Sequence, residues 1–236
     1  MYEILDLIAY YFPECEGINM DATVTSILHK SQEELKMLAR KKVKHLYLGI
    51  ESGLDDVLKF MKKDHDLGQA YHAIDRLHEA GLIYDAHIMT GVAGKGRGME
   101  NAEALAQFLN RTNPAHVVNF SMFLHKEVPL YEDIRQGTFV PADELETIRE
   151  EYHLIERIAP EKAGANILYD GFHDFIHVRV RGHLPDDKEK MLAKLNGIIQ
   201  EYEGKEPVYS FVQGECPDLE YCDDGKAVWD MDRKTS

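Results

Sequence analysis

Leu46, Leu48 and Ile50 alternate with Tyr47, Gly49 and Glu51, and the run closes on Ser52-Gly53. Alternation of period two that ends in a turn is a strand with two unlike faces. Helical periodicity lies on both sides of it. Ser31-Gln-Glu-Glu34 is a capping box, in which Ser31 caps and Glu34 reaches back, and the helix it opens turns Leu35 and Leu38 inward. After the strand come a short helix over Asp55 to Met61 and a longer one over Leu67 to Ala80. The longer helix places Tyr71, Ile74 and Leu77 on one face and has Gly81 as its C-terminal stop.

The alternation continues in both directions. Upstream, Ile4, Leu5, Leu7, Ile8 and Tyr11 have helical spacing up to Pro13, and Gly17 to Val24 is a weaker strand. Downstream, the order is a strand over Leu82 to Met89, a glycine-rich loop from Gly91 to Gly98, a helix over Glu100 to Leu109 and a strand over Ala115 to Phe123. Strands that alternate with helices pair in parallel and carry the helices as crossovers. In such folds ligands gather at the carboxyl ends of the strands, which is where Glu51 stands. Past Lys126 the pattern turns irregular. Asp143 to Ile158 is a helix with Leu145, Ile148, Tyr152 and Ile155 on one face, Phe175 to Val180 is strand-like, and Pro185 opens a helix that carries Met191, Leu192, Leu195 and Ile199. The expected organisation is a (β/α) unit over 1–135, an α-rich extension over 136–205 and an acidic, loosely held tail over 206–236.

The formal charge of −15 makes a surface that repels phosphate backbones, so no nucleic-acid partner is expected. No apolar run reaches the length of a membrane helix, and the acids within the first eight residues do not suit a signal peptide. Cys15, Cys216 and Cys222 form no disulfide framework, which places the chain in the cytoplasm.

Leu46-Tyr-Leu-Gly-Ile-Glu-Ser-Gly53, followed by Met61-Lys-Lys63, resembles the middle of a radical SAM (S-adenosylmethionine) protein, where a strand ends in a Glu-Ser-Gly-like turn and a Met-x-Lys corner follows. Ala86-His-Ile-Met-Thr-Gly91-Val-Ala-Gly94 is similar to that family's Gly-x-Ile-x-Gly-x-x-Gly strand and loop. Val117 to Met122, the Val128-Pro-Leu-Tyr131 corner and Gly182 to Lys188 resemble its later elements. The resemblance implies a partial (β/α) barrel with a mainly helical C-terminal extension. It implies cofactor contacts by Glu51 and Ser52 to the ribose or amino group of SAM, by Lys63 to the SAM carboxylate, and by the Gly91 and Gly94 backbone to adenine or ribose. Intact members hold a 4Fe-4S cluster through Cys-x-x-x-Cys-x-x-Cys, and these 236 residues contain no such motif. The chain therefore reads as matching from about the third barrel strand onward, truncated or split from a cluster-binding segment that a separate chain could carry, and as inactive alone. The substrate is an unidentified small molecule.

Other readings of the same residues stay open. One is a binding or regulatory module that keeps the barrel without its chemistry. Another is a conventional (β/α) hydrolase or lyase that uses Glu51 and His87 as acid and base. Lys63, Lys95 and Arg97 also read as solvated cations, and Glu51 as the partner of Lys63. His173 and His177 with Asp170, Asp174 and His183 have the chemistry of a zinc site, but four residues along a strand span about 13 Å, too far for one ion. Cys216 and Cys222 are a weak metal signal without a second pair.

Overall fold

The computed structural model describes residues 1–211, so the expected acidic tail beyond that point, with Cys216 and Cys222, lies outside the described residues. Six strands form one sheet: β1 (Ile18–Ala22), β2 (Val43–Glu51), β3 (Ile83–Thr90), β4 (His116–Ser121), β5 (Ile167–His173) and β6 (Val178–Leu184). Their spatial order is their chain order. All neighbours run parallel except β5 and β6, which form a hairpin. Strands in chain order, without a reversal, are the wall of a barrel rather than a doubly wound sheet.

The helices are α1 (Tyr2–Tyr11), α2 (Val24–Leu28), α3 (Gln32–Arg40), α4 (Asp55–Phe60), α5 (Leu67–Glu79), α6 (Gly98–Thr112), α7 (Leu130–Arg135), α8 (Glu144–Arg157) and α9 (Lys188–Tyr202). The capping box at Ser31 forms as expected, with the Ser31 hydroxyl accepting from the Glu34 N–H and the Glu34 carboxylate accepting from the Ser31 N–H at 2.7 Å. Thr23 with Ser26, and Asp66 with Gln69, cap α2 and α5 in the same way. Gly81 follows α5 in a left-handed conformation, φ +76°, where a side chain would be strained.

One face of the sheet carries the core. Leu46, Leu48 and Ile50 of β2, Tyr84, Ala86 and Ile88 of β3, Val117 of β4 and Tyr169 of β5 are buried against α2, α3, α5, α6, α8 and α9. The side chains between them project to the opposite, inner face. This is a partial (β/α) barrel wall, with its helices packed on the core face.

The sequence boundary expected at residue 135 falls within this sheet, because β4 pairs with β5 and the core face runs on through Val180 and Leu184 of β6. The region read as an α-rich extension thus supplies two strands, followed by the single helix α9. β5 escapes the period-two pattern because its core-facing positions are Ile167, Tyr169, Gly171 and His173. Two of those four residues are not apolar, for a reason that lies in α8.

Candidate functional site

β2 ends in a bulge. Gly49 pairs with His87 and Glu51 with Ile88, and Glu51 adopts φ +63°, a left-handed conformation that costs a non-glycine residue about 1–2 kcal/mol. This kink leaves the Glu51 carboxylate on the inner face, where it accepts from the Lys63 ammonium at 3.1 Å. Both side chains are mostly enclosed, 23% and 29% exposed. Gly49 makes the room for them. A Cβ there would stand 2.7 Å from Glu51 Oε1 and 3.3 Å from Lys63 Nζ. Lys63, which also reads as a solvated cation, is therefore an ion-pair partner, and Glu51 takes the pairing role set beside its ligand role.

Ser52 and the two glycines behave differently from expectation. The Ser52 hydroxyl is fully buried. It donates to Asn101 Oδ1 of α6 at 2.6 Å and accepts from the Leu54 N–H, so it lies away from the inner face, in step with Leu46, Leu48 and Ile50 on the core side. Gly91 and Gly94 have φ +82° and +78°. A Cβ on Gly91 would meet Thr147 at 2.7 Å, and one on Gly94 would meet the Val140 carbonyl at 2.9 Å. Their close approach is to the protein's own chain. In the same loop Arg97 is held by Asp56 at 2.7 Å and Glu100 at 2.8 Å, while Lys95 borders a cavity of about 350 Å³ between α4 and the loop, walled by Phe60, Val92 and Phe139.

Beneath these strand ends lies a buried polar network that sequence reasoning missed. Helix α8 turns Glu144, Glu150 and Glu151 inward, all buried. Glu150 accepts from the Gly91 N–H at 2.9 Å and from the Asn101 amide at 2.7 Å, so one carboxyl joins the Ser52 turn to the glycine loop. Burial pushes its pKa up to about 8 against those two bonds. His173 lies between Glu144 at 3.1 Å and Glu151 at 2.9 Å. Burial alone would lower the His173 pKa, but the two carboxylates raise it to about 10, so the imidazole is a cation at neutral pH. Burial likewise opposes ionisation of Glu144, and His173 with the Ser210 and Ser121 hydroxyls overcomes it and holds that pKa low.

Glu151 also accepts from the Asn119 amide and the Tyr169 hydroxyl, over Gly171, where a Cβ would collide with it at 1.8 Å. Asn119 in turn accepts from the Thr90 N–H at 3.1 Å. The ends of β2, β3, β4 and β5 are thus tied to α6 and α8 by side chains rather than apolar packing. The signal lay in Glu144, Thr147, Ile148 and Glu151, which share one face at helical spacing.

The inner face carries a second set of groups. His45 Nδ1 lies 2.6 Å from Asp85, which is wholly buried and has its pKa raised by that burial. The Tyr47 hydroxyl meets His116 Nδ1 at 3.0 Å. Asp85 Oδ1 and His116 Nε2 are buried without a hydrogen-bond partner. His87 faces inward here, tilted against Tyr47 at 5.1 Å between ring centres and edge-to-face with Phe120 at 5.8 Å.

Among the described residues no cluster ligands are assembled. Cys15 donates its thiol to the Gly17 carbonyl at 3.3 Å, and among the described residues no group of three or more His, Cys, Asp or Glu could hold a metal ion. His173, whose strand spacing from His177 is too long for a shared zinc ion, is the buried cation between two glutamates. His177 lies past a short turn over 174–176 that ends β5. The described residues do not fit a 4Fe-4S cluster. They do offer an ammonium and a carboxylate, the complement of an amino acid's two charges.

Residues 2–109 match the family model described as the Radical SAM superfamily. A curated tRNA uridine(34) acetyltransferase of Methanocaldococcus infernus is 26% identical over 119 residues, which cover 50% of this chain and 22% of that protein. A solved structure, the archaeal Methanocaldococcus infernus Elp3 with an N-terminal deletion (1-46), superposes with a TM-score of 0.59 at 18% identity, over 79% of this chain and 42% of that one. The superposition supports the barrel-type fold. The chain spans about a fifth of the curated relative's length and less than half of the solved one's. No helix among the described residues is long and apolar enough to cross a membrane.

Proposed function

We propose that this chain, a radical SAM superfamily protein by its residues 2–109, contributes the S-adenosylmethionine-binding half of a radical enzyme site whose cluster ligands are supplied by another segment or chain. The observation that carries the reading is the Glu51–Lys63 pair at the carboxyl end of β2, with Gly49 clearing the space around it. The aminoacyl end of SAM bears an ammonium and a carboxylate. Glu51 would accept from the ammonium and Lys63 would donate to the carboxylate, so the ligand's two charges replace the ion pair's own.

In intact members, cluster and SAM together carry the radical chemistry. The residues here bind and orient. The bulge at Gly49–Glu51 fixes where the carboxylate points. Asn101 and Glu150 hold the Ser52 turn and the Gly91 loop in register, so the strand ends that face the ligand do not move independently. The substrate is a small molecule, since a chain of charge −15 lacks the basic surface that a polynucleotide needs. The setting is cytoplasmic, as three cysteines without a disulfide framework suggest.

Calorimetry with S-adenosylhomocysteine, which keeps the aminoacyl end and is stable, tests the assignment. The wild-type chain binds it, and Glu51→Gln weakens binding by about tenfold or more, the worth of one charge-assisted hydrogen bond. Equal affinity in wild type and Glu51→Gln refutes the assignment.

A further inference from the structure

Four rings cross the inner face side by side: Tyr47 of β2, His87 of β3, Phe120 of β4 and Phe172 of β5. Their centres are 5.1, 5.8 and 5.8 Å apart in turn, and the Arg179 guanidinium of β6 closes the row 4.7 Å over Phe172. None of the four rings belongs to the core cluster, and Phe120 is 37% exposed. Folding therefore does not account for them. A barrel interior that is merely filled uses branched aliphatic side chains, whereas this one presents aromatic rings, tilted at Tyr47–His87, edge-to-face at His87–Phe120 and parallel at Phe120–Phe172.

On this face Glu51 pairs with Lys63 and Asp170 with Arg179 and Arg181, His45 Nδ1 meets Asp85 at 2.6 Å, and Asp21 of β1 lies beside Tyr47. The face thus offers rings bordered by polar and charged groups. Next to the row, on the strand beside Tyr47, Asp85 is 0% exposed and its Oδ1 lacks a partner, as does His116 Nε2. Buried polar atoms without partners are costly unless something completes them.

Resting on the reading above that this is the inner wall of a SAM-binding barrel, we infer that the row Tyr47–His87–Phe120–Phe172 seats the substrate. The substrate is a planar heteroaromatic ring with hydrogen-bonding edges, of the nucleobase or nucleoside type. The ring lies against Phe120 and Phe172. Its edge faces the His45–Asp85 and Tyr47–His116 pairs, where a small side-chain rotation brings a donor and an acceptor to it. A polynucleotide is disfavoured by the charge of −15.

Saturation-transfer NMR with uridine as probe tests this, on the full 236-residue chain and with S-adenosylhomocysteine saturating so that the nucleoside cannot occupy that site. The expected result is stronger transfer to the base protons than to the ribose protons, and at least a fivefold loss of affinity in Phe120→Ala. That variant removes an exposed ring outside the core and leaves S-adenosylhomocysteine binding intact. Phe172→Ala gives a second, independent reading of the same loss. Absent binding, transfer to ribose alone, or unchanged affinity in both variants overturns the inference. An oligouridylate that binds more than tenfold tighter than uridine, with steep salt dependence, also overturns it, in favour of a nucleic-acid surface. If uridine binds and S-adenosylhomocysteine does not, the Glu51 assignment fails while the ring site stands. The converse result refutes the ring site alone.

Discussion

Gly49→Ala separates binding from stability at the Glu51–Lys63 pair. The new methyl group would stand 2.7 Å from Glu51 Oε1 and 3.3 Å from Lys63 Nζ, both far ends of flexible side chains, so the pair opens and the backbone stays in place. Two small terms then oppose each other. Alanine in a strand interior gains about 0.5–1 kcal/mol over glycine from the entropy of the unfolded chain. Loss of a partly exposed ion pair costs about 0.2–1 kcal/mol. The net change is within about 0.5 kcal/mol, which for a chain of this size moves Tm by no more than about 2 °C.

Binding behaves otherwise, because the methyl group fills the space where the aminoacyl end of the cofactor would enter. S-adenosylhomocysteine affinity should fall by at least about tenfold, the worth of one charge-assisted hydrogen bond. Thermal unfolding and calorimetry on the same preparation report both quantities. Unchanged affinity with unchanged Tm would show that the pair is only structural. A drop of more than about 6 °C would show that Gly49 supports packing beyond this pair.

Further outcomes follow from the buried network. Glu151→Ala leaves His173 as a buried cation short of one carboxylate and should cost about 3–5 kcal/mol in urea denaturation, whereas a cost under about 1 kcal/mol would contradict the charged assignment. The stability profile with pH should also be distinctive. The folded chain keeps the Glu150 proton between 4.5 and about 8, and the His173 proton between 6.5 and about 10, where the unfolded chain has released them. Stability therefore falls as pH rises from about 5 to 10, by up to about 1.4 kcal/mol per pH unit for each group, and Glu150→Gln removes the Glu150 share, so that the remaining fall begins near pH 6.5. A flat profile over that range would contradict it. Anaerobic reconstitution should leave the chain without stoichiometric iron, and about four irons per chain with broad visible absorbance would contradict the absence of cluster ligands.

Much of this was legible in the residues. The β2 alternation, the Ser31–Glu34 capping box and the Gly81 stop each use a local rule that the fold obeys, and together they imply a parallel, helix-crossed sheet. What escaped notice did so where tertiary partners override local pattern. Glutamates on a helix read as solvent-facing, yet Glu144, Glu150 and Glu151 are buried because His173, Asn119 and Asn101 meet them from other elements. For the same reason β5 does not read as a strand, since its Gly171 and His173 serve α8 rather than an apolar layer. At the site, Glu51 and Lys63 were legible by type and position. The burial of Ser52 follows from its place in step with Leu46, Leu48 and Ile50, but its partner Asn101, which comes from α6, was not legible.

The central claim is that Glu51 and Lys63 read the aminoacyl end of S-adenosylmethionine. Calorimetry that compares S-adenosylhomocysteine with 5′-methylthioadenosine, which lacks that end, tests it most directly. The wild-type chain should prefer the former by at least about tenfold, and Glu51→Gln and Lys63→Met should each erase most of the preference while leaving 5′-methylthioadenosine binding unchanged. Equal affinity for the two ligands in the wild-type chain would contradict the account.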